Sequence, residues 1–72
     1  MPLPEDLTNR FTYHPPMTEQ QGKVYDTIRG AGFAFARVVN ELAPESMELV
    51  IAIRKIEEAV MWANAAVARN ST

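Results

Sequence analysis

Apolar residues recur along most of the chain in alternating steps of four and three, which is the spacing of one helix face. The first series consists of Val24, Ile28, Ala31, Phe35, Val38 and Leu42. The second series consists of Leu49, Ile53, Ile56, Val60, Ala63 and Val67. Because such a stripe marks a helix that faces another helix, the pattern predicts two long helices, over about residues 18–42 and about residues 44–70.

The residues at the predicted helix boundaries support this division. Thr18 is followed three positions later by Gln21, which is the spacing of a capping box. Pro44 cannot continue the first helix and suits the first turn of the second. A connection of about two or three residues forces neighbouring helices to run in opposite directions. Residues 18–72 are therefore predicted to form a long antiparallel helical hairpin.

The first 17 residues form a different kind of segment, because they hold four of the five prolines: Pro2, Pro4, Pro15 and Pro16. Such a segment cannot be one long helix, although it has room for a short one near residues 5–9. Proline after His14 keeps that residue extended. Residues 1–17 are therefore predicted to be a proline-rich arm that presents the rings of Tyr13 and His14.

Two glycines interrupt the first predicted helix. Gly30 and Gly32 flank Ala31 in mid-helix, where each glycine costs up to about 1 kcal/mol relative to alanine. A glycine in mid-helix offsets this cost when another group must approach the helix backbone closely. Two explanations remain open, a close helix crossing and a ligand that lies against the helix.

The second predicted helix carries a second apolar face made largely of small residues. A two-helix hairpin covers one stripe on each helix, so this face is expected to be exposed, and exposed apolar patches usually mark interfaces. Trp62 among alanines is typical of an anchor in a partner's pocket. We predict an oligomer interface that includes Trp62, Ala59 and Ala66. The alternative is a monomer that folds its amino-terminal arm over this face.

Chain length and composition favour self-association. A chain of 72 residues with 47% hydrophobic residues has little interior in which to place them. Small domains are usually stabilised further by disulfides, a metal or association. The chain has no cysteine and a single histidine, so we expect no disulfide, no metal site and no cofactor. The sequence thus predicts an all-α homo-oligomer.

Charge and hydropathy exclude several partners. A net charge of −2 argues against binding to DNA or RNA polymers, which normally requires a basic protein. No apolar run approaches the roughly 18–20 residues that span a membrane. The first residues do not have the pattern of a secretory signal. We therefore expect a soluble, cytoplasmic protein without a membrane partner.

The sequence carries no recognisable catalytic set, so we expect no enzyme and no catalytic residue. Glu57 and Glu58 are adjacent and point about 100° apart on a helix, which does not suit a catalytic pair. A binding role has better support, because Tyr13 offers a ring for base stacking. Arg29 and Arg69 are residues of the type that grips phosphate, although Arg69 also complements a helix dipole. These residues alone leave both a nucleotide-binding protein and a plain interaction module open.

Several segments together resemble small phage proteins of the anti-CBASS cyclic-oligonucleotide sponge family, of the anti-CBASS protein two type. The resemblance covers about residues 9–70. Its most specific blocks are the tyrosine-histidine-proline-proline motif and the methionine-tryptophan run. The segments are Arg10-Phe11-Thr12-Tyr13-His14-Pro15-Pro16, Tyr25-x-x-Ile28-Arg29, Pro44-Glu45-Ser46 and the stretch Glu57 to Asn70, which contains Met61-Trp62-Ala63-Asn64-Ala65-Ala66.

The resemblance implies a helical hairpin assembled as a homohexamer. Proteins of this family sequester cyclic di- and trinucleotide immune messengers, such as cGAMP, without cleaving them. They act in the cytoplasm of the infected bacterial host, where they keep the messenger from its effector. The family shares its hairpin domain with the phage anti-Thoeris sponges, so a cyclic ADP-ribose signal is an alternative ligand. A helical adaptor or inhibitor that binds a host protein is the alternative of a different class.

The resemblance also implies roles for individual residues. Tyr13 matches the tyrosine that stacks on a base. Arg29 matches a basic residue that contacts phosphate in the dinucleotide pocket, where the family more often has lysine. Arg69 matches the arginine that grips the trinucleotide at a three-fold junction. Thr12 and Asn70 are added as ligand-binding residues because they are adjacent to these positions.

Overall fold

The computed structural model describes Phe11, Pro16 and residues 18–70. Two helices of 24 residues each account for most of this part, α1 (Glu19–Leu42) and α2 (Met47–Asn70). They pack against each other as a hairpin, which confirms the predicted all-helical fold for the described residues. Neither helix is long and apolar enough to cross a membrane. The short helix predicted near residues 5–9 of the arm lies outside the described residues.

Hydrogen bonds mark both ends of α1, and the sequence predicts the one at its start. Thr18 is extended, and its Oγ1 accepts a hydrogen bond from the backbone N–H of Gln21 at 3.0 Å. This contact satisfies one of the donors that a helix start leaves open. At the other end the N–H of Ala43 donates to the carbonyl of Val39 at 2.9 Å, and Pro44 follows. The helix therefore ends at Leu42, where the proline prevents its continuation.

The start of α2 differs from the expectation by three residues. The helix begins at Met47 with Ser46 as its cap, so Pro44 precedes α2 and does not lie in its first turn. The Ser46 Oγ accepts a hydrogen bond from the N–H of Leu49 at 3.1 Å and donates to the carbonyl of Pro44 at 3.0 Å. A serine at this position stabilises a helix start by about 1 kcal/mol relative to alanine. Residues 43–46 thus form the connection between the helices.

The contact stripe of α2 agrees with the sequence pattern. The six residues predicted to face the other helix are all half-buried, namely Leu49, Ile53, Ile56, Val60, Ala63 and Val67. The stripe of α1 agrees only in its first two residues. Val24 and Ile28 are half-buried, whereas the residues predicted to follow them, Ala31, Phe35, Val38 and Leu42, are exposed.

The half-buried line of α1 continues instead through Gly32, Ala36 and Val39. From Ile28 these positions advance in steps of four, four and three, close to the 3.6 residues per turn of a straight helix. Because residues advance by about 100° around a helix, this half-buried line lies roughly 80° around α1 from the later residues of the predicted stripe. The face of α1 that contacts α2 therefore runs through Gly32, and the predicted stripe lies to one side of it. Phe35, Val38 and Leu42 are consequently in contact with solvent.

Gly32 lies where the two helices come closest. A Cβ atom added to this glycine would overlap the Cγ2 methyl group of Val60, and Ile56 would also lie within contact distance. The close crossing is therefore the explanation that holds for Gly32. A Cβ atom added to Gly30 would meet nothing within 4 Å. Packing within one hairpin does not require a glycine at that position.

The described part of the chain has no fully buried residue. Its large apolar side chains remain substantially exposed, including 80% for Leu42, 66% for Phe33 and 59% for Phe35. Two helices side by side cover only the sides that face each other, so they enclose no interior. The hairpin is therefore a single layer, with apolar surface on both faces.

Alanine substitution of the two glycines should have opposite effects on stability. Gly30→Ala should raise the free energy of unfolding by about 0.5–1 kcal/mol, because alanine favours helix and meets open space. Gly32→Ala should lower it by about 1–3 kcal/mol, because the added methyl group forces the helices apart at Val60. Urea denaturation followed by circular dichroism, at one protein concentration, measures both. A stabilising Gly32→Ala would contradict the close crossing.

Candidate functional site

The predicted ligand-binding residues fall into two groups. Tyr13 and Thr12 lie outside the described residues, so their roles remain predictions. Arg29 lies on α1, and Arg69 and Asn70 lie in the last turn of α2. The two arginines engage different partners, so each is described separately.

Arg29 projects from α1 with 63% of its side chain exposed. Its Nη1 donates a hydrogen bond to Oδ1 of Asp26 at 3.1 Å, and the Asp26 side chain is 78% exposed. An exposed pair within one helix contributes little to stability, about 0.3–0.5 kcal/mol. An anionic ligand can therefore compete with Asp26 for the guanidinium at little cost. The sequence analysis did not single out Asp26 as the partner of Arg29, although their spacing of three residues on a helix indicates the pair.

Arg69 is half-buried, and its guanidinium carbon lies 5.9 Å from the centroid of the Trp62 ring. This separation is within the range of a cation–π contact. The contact brings together a residue predicted to bind ligand and a residue predicted to bind another subunit. Arg69 and Trp62 are thus two predicted site residues that the structure places against each other.

Asn70 makes a hydrogen bond within its own helix. Its Nδ2 donates to the carbonyl of Ala66 at 2.9 Å, and the residue is exposed. The bond joins the Asn70 side chain to the backbone one turn earlier in α2. Asn70 therefore has a structural role at the end of α2. Its role in ligand binding stays a prediction.

The residues predicted to form the oligomer interface are on the surface of the hairpin. Trp62 is 61% exposed, and Ala59 and Ala66 are also exposed. The described residues thus leave the predicted face open to solvent, as the sequence pattern required. Contact of this face with another copy of the chain stays a prediction.

An open groove of about 570 Å³ runs between the two helices on one side of the hairpin. Its lining is apolar except for Lys55, and neither Arg29 nor Arg69 belongs to it. Lys55 also forms an ion pair with Glu58 at 3.5 Å. Such a groove suits another apolar surface better than a phosphate group. Its lining residues are Ile28, Ala31, Gly32, Phe35, Val39, Ala52, Lys55, Ile56, Ala59, Val60 and Ala63.

Within residues 18–70, two buried polar atoms lack a hydrogen-bond partner, the hydroxyl of Tyr25 and Oδ1 of Asn64. Leaving such an atom unpaired costs about 1–3 kcal/mol. Each could therefore accept a hydrogen bond from water, a ligand or another subunit. An amide within the apolar run of α2 was the available sequence signal for Asn64.

The described residues provide cationic groups for an anion rather than a metal site. Among residues 18–70, Phe11 and Pro16, no cluster of acidic or histidine side chains is arranged to hold a metal ion. Guanidinium groups bind phosphate oxygens through paired, charge-assisted hydrogen bonds. Arg29 and Arg69 thus have the chemistry to bind a phosphate-bearing ligand, Arg29 from an exposed position and Arg69 from a half-buried one beside Trp62.

Comparison with known proteins identifies the fold of the chain. No curated protein and no solved structure matches it significantly. The family model of the Acb2/Tad1 hairpin domain matches residues 4–68 of the 72. This match confirms the resemblance to the anti-CBASS and anti-Thoeris sponges. The chain belongs to the Acb2/Tad1 hairpin domain family.

Proposed function

We propose that this protein is a phage anti-defence sponge that binds cyclic di- and trinucleotide immune messengers and does not degrade them. The observation that carries the proposal is the family match over residues 4–68. The arginines on the surface of an acidic chain support it, because they provide local positive charge for a phosphate-bearing ligand. Sequestration lowers the free messenger concentration in the cytoplasm of the infected host, so the effector is not activated.

We further propose that the working form is a homo-oligomer, with six copies as the expected number. The exposed face that contains Trp62, Ala59 and Ala66 and the apolar groove between the helices support this proposal. We take the two helices as antiparallel, because a connection of only four residues requires the chain to turn back. A symmetric assembly brings equivalent arginines together around an axis and so forms a cationic site.

In this assembly the ligand is held by residues of different parts of the chain. Tyr13 stacks on a base, Arg29 binds phosphate in the dinucleotide site, and Arg69 binds phosphate in the trinucleotide site. Thr12 and Asn70 provide further polar contacts. Binding requires no catalytic group, because a sponge needs only an affinity that competes with the effector.

Recovery of intact messenger tests sequestration. The wild-type protein is mixed with cGAMP or with cyclic triadenylate, and free nucleotide is measured after filtration and again after heat denaturation. We expect depletion after filtration and full recovery of intact nucleotide after heating. Hydrolysed products would contradict the sponge. Absence of depletion with either nucleotide, but depletion of a cyclic ADP-ribose isomer, would assign the alternative ligand, and no depletion at all would favour a protein-binding adaptor.

Variants at the proposed dinucleotide site should change the affinity for cGAMP, two of them lowering it and one raising it. Arg29→Ala should weaken cGAMP binding by about 10- to 100-fold, because a charge-assisted hydrogen bond is lost. Asp26→Asn should strengthen it by about two- to fivefold, because the amide competes less well for Arg29. Tyr13→Ala should weaken binding by about tenfold through lost stacking. Isothermal titration calorimetry measures all three.

Arg37→Ala is the matched control for the arginine substitution. Arg37 is also an exposed arginine of α1, with an ion pair to Glu41 at 3.6 Å. Its removal changes the net charge by the same amount without affecting the proposed site, so cGAMP affinity should stay within about twofold. Equal losses of cGAMP affinity in Arg29→Ala and Arg37→Ala would show that binding depends only on the overall charge of the protein.

A further inference from the structure

The last turn of α2 contains a contact between a cation and an aromatic ring. The guanidinium carbon of Arg69 lies 5.9 Å from the centroid of the Trp62 ring. The two residues are seven positions apart, which is about two helical turns and therefore the same side of the helix. Tryptophan provides the strongest attraction for a cation among the aromatic side chains.

The residues between Trp62 and Arg69 leave room for their side chains to meet. Ala65 and Ala66 occupy the turn between the two side chains, and their methyl groups leave the ring and the guanidinium room to meet. A helical side chain also leans toward the amino terminus, which directs Arg69 back toward Trp62. The helix dipole explains a cation in this turn. It does not explain the position of that cation over a ring.

A guanidinium group over a ring keeps its binding capacity for phosphate. The ring attracts the cation, whereas the N–H donors of the guanidinium point outward in its own plane. Two of these donors can bind two oxygens of one phosphate group. The contact with Trp62 also restricts the rotamers of a long side chain before the ligand arrives. Less conformational freedom is then lost on binding.

We propose that Trp62 is a positioning residue of the phosphate site, because its ring holds the Arg69 guanidinium in the orientation that binds the ligand. This inference rests on the proposed function and assigns Trp62 a role besides subunit contact. Trp62 is 61% exposed and also belongs to the predicted interface. The phosphate-binding arginine is thus held by a residue of the surface through which the copies associate. Ligand binding and assembly are linked through this pair.

A double-mutant cycle tests the inference, with cyclic triadenylate as the probe in calorimetry. Arg69→Met should weaken binding by at least about tenfold, because it removes the charge and keeps the length of the side chain. Trp62→Leu should weaken binding by about two- to fivefold, and Trp62→Phe by less, because phenylalanine retains a weaker cation–π partner. In the Arg69→Met background, Trp62→Leu should have no further effect.

Two controls separate positioning from assembly. The mass of every variant is measured by light scattering, and only variants with the wild-type mass enter the cycle. Trp62→Phe retains an apolar ring and is the variant of choice if Trp62→Leu dissociates. Phe33→Leu replaces another exposed aromatic residue, 66% exposed and on α1, and should leave the affinity for cyclic triadenylate within about twofold.

Tryptophan fluorescence provides a second readout, because Trp62 is the only tryptophan in the chain. Cyclic triadenylate should change the emission of the wild-type protein and of Arg29→Ala, but not of Arg69→Met. Additive effects in the cycle would overturn the role of Trp62, whether or not the emission responds to the ligand. If the wild-type protein binds neither cyclic triadenylate nor cGAMP, the proposed function fails and this inference fails with it. If it binds and the cycle is additive, only this inference fails.

Discussion

The structure depends on the packing of two helices, α1 and α2, along one line. Each helix buries at most the stripe that faces its partner, and none of the described residues becomes fully buried. Most of the stability of a helix in a protein comes from such tertiary packing. A chain with 47% hydrophobic residues therefore has apolar surface left over after the hairpin has formed. This uncovered apolar surface is the basis of the proposed assembly, and the assembly in turn forms the proposed binding sites.

The close contact at Gly32 determines where the uncovered apolar surface lies on the two helices. Close approach of Gly32 to Val60 brings the helices together at one point and leaves an open groove beside it. Phe35, Val38 and Leu42 of α1 lie to one side of this contact and are exposed. On α2, Ala59, Trp62 and Ala66 are exposed as well. The hairpin thus presents apolar surface on both helices, while its arginines lie outside the groove.

Much of this fold could be predicted from the sequence. The two helices, the cap at Thr18 and the inward stripe of α2 follow from spacing, because local periodicity and capping depend on neighbouring residues. The stripe of α1 was wrong after Ile28, because the residue that contacts α2 there is Gly32, which has no side chain for a pattern of apolar residues to detect. The choice of Ser46 over Pro44 as the start of α2 depends on hydrogen bonds that the proline pattern concealed. The contact of Arg69 with Trp62 required coordinates, because spacing alone does not indicate which rotamer an arginine adopts.

The central claim is that one copy of the chain cannot cover its own apolar surface. Size-exclusion chromatography with light scattering, on the wild-type protein at micromolar concentration with and without cGAMP, tests it most directly. We predict a particle of several copies in both cases, with about six times the 8.1 kDa mass of one chain. A folded particle of 8.1 kDa that does not change with nucleotide would contradict the account.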